Sequence, residues 1–234
     1  MARGTDLGVV VVPWRPTPQR QKAFDFAKRW WAYWGFEVVT ADSNPDLPFS
    51  LAEARNNGVR KVEESCFGPG AMIICDADTV PDRQVVSEAV RICNKPGKVV
   101  YPYTRYRYLN SRFIDVCDEG LVDEPTHPLK SLVPQYISTT SVGGIVVAHS
   151  QTYWEVGGMD ERFDRTWGFE DNAFVAAADT LAEVVRLDGD VYSFSHDVEG
   201  RGRDCSSRNP NYWRNQLYQH CYGKPKLMRE LIKR

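Results

Sequence analysis

The sequence has no CxxC pair, no GxGxxG after its first apolar run and no GxxxxGK[ST] loop. Those absences argue against a structural zinc site, a dinucleotide-binding fold and a P-loop enzyme. The apolar runs, such as Gly8 to Pro13, fall far short of the ~20 residues a membrane helix requires, so no integral membrane segment is expected. MARGTDLG carries no apolar stretch behind its charge, so no signal peptide is read there. Charge of one sign is also missing. Lys+Arg number 29 and Asp+Glu 31, a net charge of −2, whereas nucleic-acid binding draws on a strongly basic face. A small anion remains a fitting partner, because it needs only a local cluster. Cys66, Cys75, Cys93, Cys117, Cys205 and Cys221 are scattered, which reads as reduced thiols in a cytoplasmic protein. Internal repeats and low-complexity linkers are absent too. The 234 residues suit one large domain or two small ones, with no metal or disulfide staple needed for folding.

What is present alternates between strand and helix. Val9 to Val12 is a β-branched run that fits a strand buried on both faces. Thr17-Pro18 opens a helix with Ala23, Phe26, Ala27, Trp30 and Trp34 at helical spacing, stopped by Gly35. Phe36 to Thr40 is a second strand, and Ser50 with Glu53 forms a capping box for a second helix. Ala71 to Cys75, a helix from about Asp82 to Cys93 and Val99 to Tyr101 complete a βαβαβαβ run. This alternation implies an open parallel sheet, with ligands beyond the carboxyl ends of its strands. The stretch after Pro13, Asp42 and the Asp76/Asp78 pair all emerge at that edge. Thr104 to Ser141 loses periodicity and reads as a long irregular excursion. Gly143 to Ala148 is a strand, and Ser150 caps a short helix ending at Gly157-Gly158. A helix from about Glu170 to Thr180 and a β-rich patch to His196 follow. Glu199 to Pro210 reads as a loop, with terminal helices over Asn211 to Tyr222 and Lys226 to Lys233.

Three groups of residues can carry chemistry. Asp76-x-Asp78, leaving a strand, offers the oxygen ligands that magnesium or manganese takes, although an Asp here also serves as a helix cap. Glu170-Asp171, behind an aromatic–Gly turn at a helix start, suits a general base or a hydroxyl-gripping carboxylate. It equally suits ordinary charge complementing the helix dipole. His196, ending a strand, is either a ligand or a structural hydrogen-bonder. Arg15, Arg55-Asn56, Arg201 and Arg203 offer forks for phosphate oxygens, and each also fits a solvated surface position.

In combination these features resemble the GT-A glycosyltransferases. The order is similar to polypeptide N-acetylgalactosaminyltransferases, β-1,4-galactosyltransferases and bacterial chondroitin-polymerase-type enzymes. The resemblance rests on Val9-Val10-Val11-Val12-Pro13-Trp14-Arg15, Ala54-Arg55-Asn56-Asn57-Gly58 and Ile73-Ile74-Cys75-Asp76-Ala77-Asp78. It continues through Gly143-Gly144, Gly157-Gly158-Met159-Asp160-Glu161-Arg162-Phe163 and Trp167-Gly168-Phe169-Glu170-Asp171, spanning roughly residues 8–200.

The resemblance implies an α/β, Rossmann-like nucleotide-diphospho-sugar transferase fold in one domain, 1–234, with a mostly parallel central sheet and flanking helices. Residues 8–103 would form the nucleotide-binding half and 141–200 the donor-sugar and acceptor half; 201–234 would add a loop and terminal helices. It implies transfer of a hexose or N-acetylhexosamine from a UDP-sugar to a protein or glycan hydroxyl, with Mn2+ or Mg2+ as cofactor. Asp76, Asp78 and His196 would hold the metal. Pro13, Arg15, Asp42, Arg55, Asn56, Asp76, Ala77, Gly144, Trp167, Arg201 and Arg203 would contact the donor, and Asp171 and Glu170 would be catalytic. The loops Thr104–Ser141 and Glu199–Pro210 would close over the donor. Asn172 after the acidic pair, together with Asp78 and Asp171, places the sequence between inverting and retaining groups. A sugar nucleotidyltransferase and a non-catalytic carbohydrate-binding protein are the alternatives. Lys224, Lys226, Arg229, Lys233 and Arg234 make a basic end, read as a solvated helix face or an anionic-surface contact.

Overall fold

Strand β1 (Val9–Pro13) is buried along its whole length, as an all-β-branched run demands. It pairs in parallel with β2 (Glu37–Ala41) on one side and β3 (Ala71–Cys75) on the other. The computed structural model describes residues 8–65, 70–110, 113, 129, 132–163, 168–194 and 206–233. Helix α1 (Pro18–Tyr33) connects β1 to β2 and buries Ala23, Phe24, Phe26, Ala27, Trp30 and Trp31. Thr17 is extended at its N-cap, but its hydroxyl makes no capping bond. Proline at the first position sets the helix start instead.

Helix α2 (Leu51–Glu64) connects β2 to β3 and begins at the expected N-cap, Ser50. Ser50 Oγ accepts from the Glu53 amide at 3.3 Å. Glu53 also accepts from the Asn44 amide, and the Ser50 amide donates to Ser43 Oγ. Gly58 is required here. A Cβ would collide with Val11, so α2 lies on β1 at glycine distance.

β4 (Thr79–Pro81), α3 (Arg83–Cys93) and β5 (Lys98–Tyr101) follow. Asp82 caps α3, accepting from the Gln84 amide at 3.1 Å, so Asp78 is not the cap. The main sheet departs from the parallel expectation. Its order is β2-β1-β3-β8-β5-β9, with β8 (Ile145–His149) antiparallel to both β3 and β5, and β9 (Glu183–Arg186) parallel to β5. β8 therefore runs against the direction of both its neighbours.

The stretch read as irregular is partly a second sheet, ordered β4-β10-β6-β7, with β6 (Arg105–Leu109), β7 (Tyr136–Ser138) and β10 (Asp190–Phe194). The alternation Arg105-Tyr106-Arg107-Tyr108 is itself a period-two strand signal. Tyr106, Tyr108 and Tyr136 follow one another across it at centroid distances of 4.6 and 5.7 Å.

After β8, α4 (Ser150–Glu155) is capped by His149 Nδ1, which accepts from the Gln151 amide, rather than by Ser150. Helices α5 (Glu170–Leu181), α6 (Pro210–Cys221) and α7 (Pro225–Ile232) enclose a smaller core of Phe163, Ala173, Ala176, Tyr218, Met228 and Leu231. Cys75, Cys93 and Cys221 are free and buried, and Cys66, Cys117 and Cys205 lie outside the described residues. No described helix is long and apolar enough to cross a membrane.

Candidate active site

The ends of β1, β2 and β3 and the start of β8 meet at one edge of the main sheet. Pro13 pairs with Ala41, and the next residues turn toward each other: Arg15 Nε donates to both oxygens of Asp42 at 2.9 Å. The rest of the Arg15 guanidinium is committed to the following loop. It donates to the carbonyls of Ser43, Asn44 and Leu47 and to Ser43 Oγ. Arg15 therefore fixes Asp42 and the 43–47 turn.

Arg55 is the hub. Its side chain is 3% exposed, yet Nη2 donates to Asp76 Oδ1 at 2.7 Å and Nη1 to Asp171 Oδ1 at 2.6 Å. Burial works against its charge, but Asp171, Asp76 and Glu170 more than offset that and hold the guanidinium ionised. The carboxylates outnumber it. Burial, with Asp171 and Asp78 adding to it, pushes Asp76 up despite Arg55. Burial followed by Asp171 pushes Glu170 up to about 7. Asp78, only 6% exposed along its side chain, takes a second arginine: Arg20 Nη2 donates to Oδ2 at 3.3 Å. Among the described residues four carboxylates thus lie around two guanidiniums.

Gly143 and Gly144 let this cluster close. The Asp76 amide donates to Gly144 O at 2.8 Å, and Tyr103 Oη donates to Gly143 O at 2.6 Å. A Cβ on Gly143 would stand 2.6 Å from Asp171 Oδ2, and one on Gly144 would strike the Tyr106 ring. Asp171 and Glu170 open α5 behind Phe169, the only non-glycine residue with positive φ (76°) among those described. Strained backbone of this kind persists where the surroundings over-determine it. Here Asn211 Nδ2 holds Gly168 O at 3.1 Å and Tyr212 packs on the Phe169 ring.

Asn56, expected at the donor, is placed inside the fold. Its amide donates to Met159 O and Glu161 Oε1 and accepts from the Met159 amide and Tyr153 Oη. It shapes the turn that brings Met159 against Arg55. Ala77 is buried between Asp76 and Asp78. Trp167, His196, Arg201 and Arg203 lie outside the described residues. Among the described residues no group of three or more His, Cys, Asp or Glu side chains is arranged to hold a metal. The backbone does bring β10 to the pair: the Phe194 amide donates to Asp78 O at 2.9 Å. Arg20, Tyr103 and Tyr153 were not legible as site residues. An arginine in the first turn of a surface helix and a buried tyrosine have no distinguishing spacing.

Residues 124–197 match the family described as the N-terminal domain of galactosyltransferase. No match was found among curated proteins. The solved catalytic domain of Drosophila β1,4-galactosyltransferase 7 with xylobiose is similar at 17% identity and TM-score 0.52, over 91% of this chain and 80% of that one. A point mutant of that enzyme with manganese, UDP-Gal and xylobiose gives 15% and 0.50, over 94% and 78%. GalNAc-T7 with UDP, GalNAc and Mn2+ gives 11% and 0.55, over 97% of this chain and 48% of that one. At such identities the structural likeness carries the fold. The chain has the GT-A glycosyltransferase fold, and its residues 124–197 are similar to the N-terminal domain of galactosyltransferase.

Proposed function

We propose that this protein is a metal-dependent glycosyltransferase that moves a hexose or N-acetylhexosamine from a UDP-sugar to a hydroxyl of a glycan or protein acceptor. The observation that carries the reading is the Arg55 bridge, which joins the Asp76-x-Asp78 segment to Asp171 at the ligand-binding edge of the sheet. Solved structures of the same fold hold manganese with UDP-Gal or UDP.

The donor set fits a hard divalent ion: carboxylate oxygens of Asp78 and Asp76, in a field where Asp78 already draws the Arg20 guanidinium. His196 is the proposed third ligand. When bound, the ion would neutralise charge on the leaving diphosphate.

The chain's own residues do the rest. Asp42, held by Arg15, faces the nucleotide, while Trp167, Arg201 and Arg203 are assigned to the donor. Arg55 fixes Asp171 through Oδ1, leaving Oδ2, the oxygen beside Gly143, to take the acceptor proton as general base. Glu170, titrating near neutrality, accepts from or donates to a sugar hydroxyl.

UDP release from a panel of UDP-sugars with Mn2+ tests this reading. Metal-dependent release that Asp78→Asn abolishes is expected. Asp171→Asn should cut turnover about 100-fold or more while sparing UDP affinity. Pyrophosphate release from UTP, or binding without turnover, would overturn it.

A further inference from the structure

On the outer side of α6 lies a concave groove of about 580 Å³, lined by Arg162, Asn211, Trp213, Arg214, Gln216 and Leu217. Its volume falls in the range of about 300–1,000 Å³ typical of ligand pockets. Trp213 is 65% exposed and Leu217, one turn on, 51%. A bare indole one helical turn from an exposed leucine is a flat apolar platform. The Arg162 and Arg214 guanidiniums and the Gln216 amide flank it.

The charge there is unbalanced. Arg162 is committed to Asp160 through Nε and Nη2 at 2.7 and 2.9 Å. Tyr218 also donates to Asp160, and Arg214 stands 4.0 Å off, beyond hydrogen-bond reach. Among the described residues one carboxylate thus answers two guanidiniums. Residues 206–233 extend the imbalance, with six basic side chains against the single acid Glu230 in a chain of net charge −2. The groove is also tied to the candidate active site. Asn211 donates to Gly168 O, two residues before Glu170.

We propose that this groove binds an acidic saccharide unit of the acceptor, a sugar carrying a carboxylate or sulfate. Its ring would stack on Trp213 and its anion would face Arg214. The class follows from complementarity: an indole face suits a pyranose, the Gln216 amide suits a hydroxyl, and the surplus guanidinium suits an anion. A concave groove favours a sugar over a flat lipid surface. The inference rests on the glycosyltransferase reading for its meaning, but its test does not use turnover.

Fluorescence anisotropy of a labelled polyuronate hexasaccharide, with neither donor nor metal present, reads the site directly. A neutral hexasaccharide should bind at least about tenfold more weakly, and Trp213→Ala and Arg214→Gln should each weaken the acidic ligand about fivefold or more. Affinity should fall as salt rises. Trp213 is exposed and Arg214 half-buried, and thermal melting would confirm that the variants fold. Equal binding of the neutral chain, or unchanged binding in both variants, would overturn the proposal. So would Trp213-dependent sedimentation with vesicles of 30% phosphatidylglycerol in the absence of oligosaccharide binding. Oligosaccharide binding that persists in a protein releasing no UDP would sink the transferase reading and leave the groove standing.

Discussion

Arg55 donates to Asp171 at 2.6 Å across 116 residues of sequence, from the buried face of α2 to the first turn of α5. Its other terminal nitrogen holds Asp76. One guanidinium therefore sets the distance between the candidate metal segment and the candidate base.

Removing that cation leaves three carboxylates facing one another in a half-buried cleft. Arg55→Met should lower stability by about 3–5 kcal/mol, as loss of one partner of a buried ion pair does. Urea unfolding would measure it, and the loss should shrink at low pH as the carboxylates protonate. Arg55→Lys keeps the charge, but one ammonium lacks the fork that spans both partners. It should recover part of the stability and still lose about tenfold or more in turnover. Full turnover in the Lys variant would rule out a bridging role.

Glu170 makes stability depend on pH in a defined sense. Its folded pKa of about 7 lies above its ordinary value of 4.5, so the folded state binds the proton more tightly. The contribution is fully present below about 4.5 and is lost as pH rises through about 7. A shift of that size corresponds to at most about 3 kcal/mol. Glu170→Gln keeps the shape without the charge. Thermal melts from pH 5 to pH 8 should show the variant gaining on the parent as pH rises, and a constant difference would contradict the assignment.

Gly143 should tolerate no side chain. The added methyl of Gly143→Ala would press on Asp171 Oδ2 from 2.6 Å. Overpacking of this kind costs about 1–3 kcal/mol. Displacement of Asp171, the proposed base, should reduce kcat more than donor affinity. Tyr103→Phe, which deletes only the hydroxyl donated to Gly143 O, should cost about 1 kcal/mol and a smaller part of kcat. Titration calorimetry with UDP and steady-state kinetics together separate the two effects.

On the proposed reading, Arg20 and a divalent ion would seek the same oxygen, Asp78 Oδ2. Arg20→Gln should bind Mn2+ about two- to fivefold more tightly in the absence of nucleotide, the value of a partly exposed ion pair. Electron paramagnetic resonance of free Mn2+ reads this without any turnover. Weaker Mn2+ binding in that variant would mean that Arg20 supports the metal segment instead of competing with it.

Much of the framework is legible in the chain. The β1 and β3 runs and the apolar spacing of α1 and α2 each announce themselves within a dozen residues. Glycine at 35, with φ of 78°, ends α1 for a reason visible in the sequence, and Pro18 starts it. The second sheet was less visible because β6 and β7 are short and separated by a long non-periodic stretch. The reversal of β8 was not visible at all, since an apolar run reads the same in either direction.

At the site the division follows the same line. The sequence by itself determined which residues are candidates to carry chemistry: the Asp76/Asp78 pair leaving a strand and the Glu170/Asp171 pair opening a helix. Only the tertiary structure decided their partners. It turned Arg15 onto Asp42, set Asn56 inside the fold, brought Arg20 to Asp78 and gave Arg55 two carboxylates at once. Strands and helices arise from periodicities of two and 3.6 residues, which neighbouring side chains record. A contact that closes 58 or 116 residues of chain has no local record and exists only where packing brings its ends together.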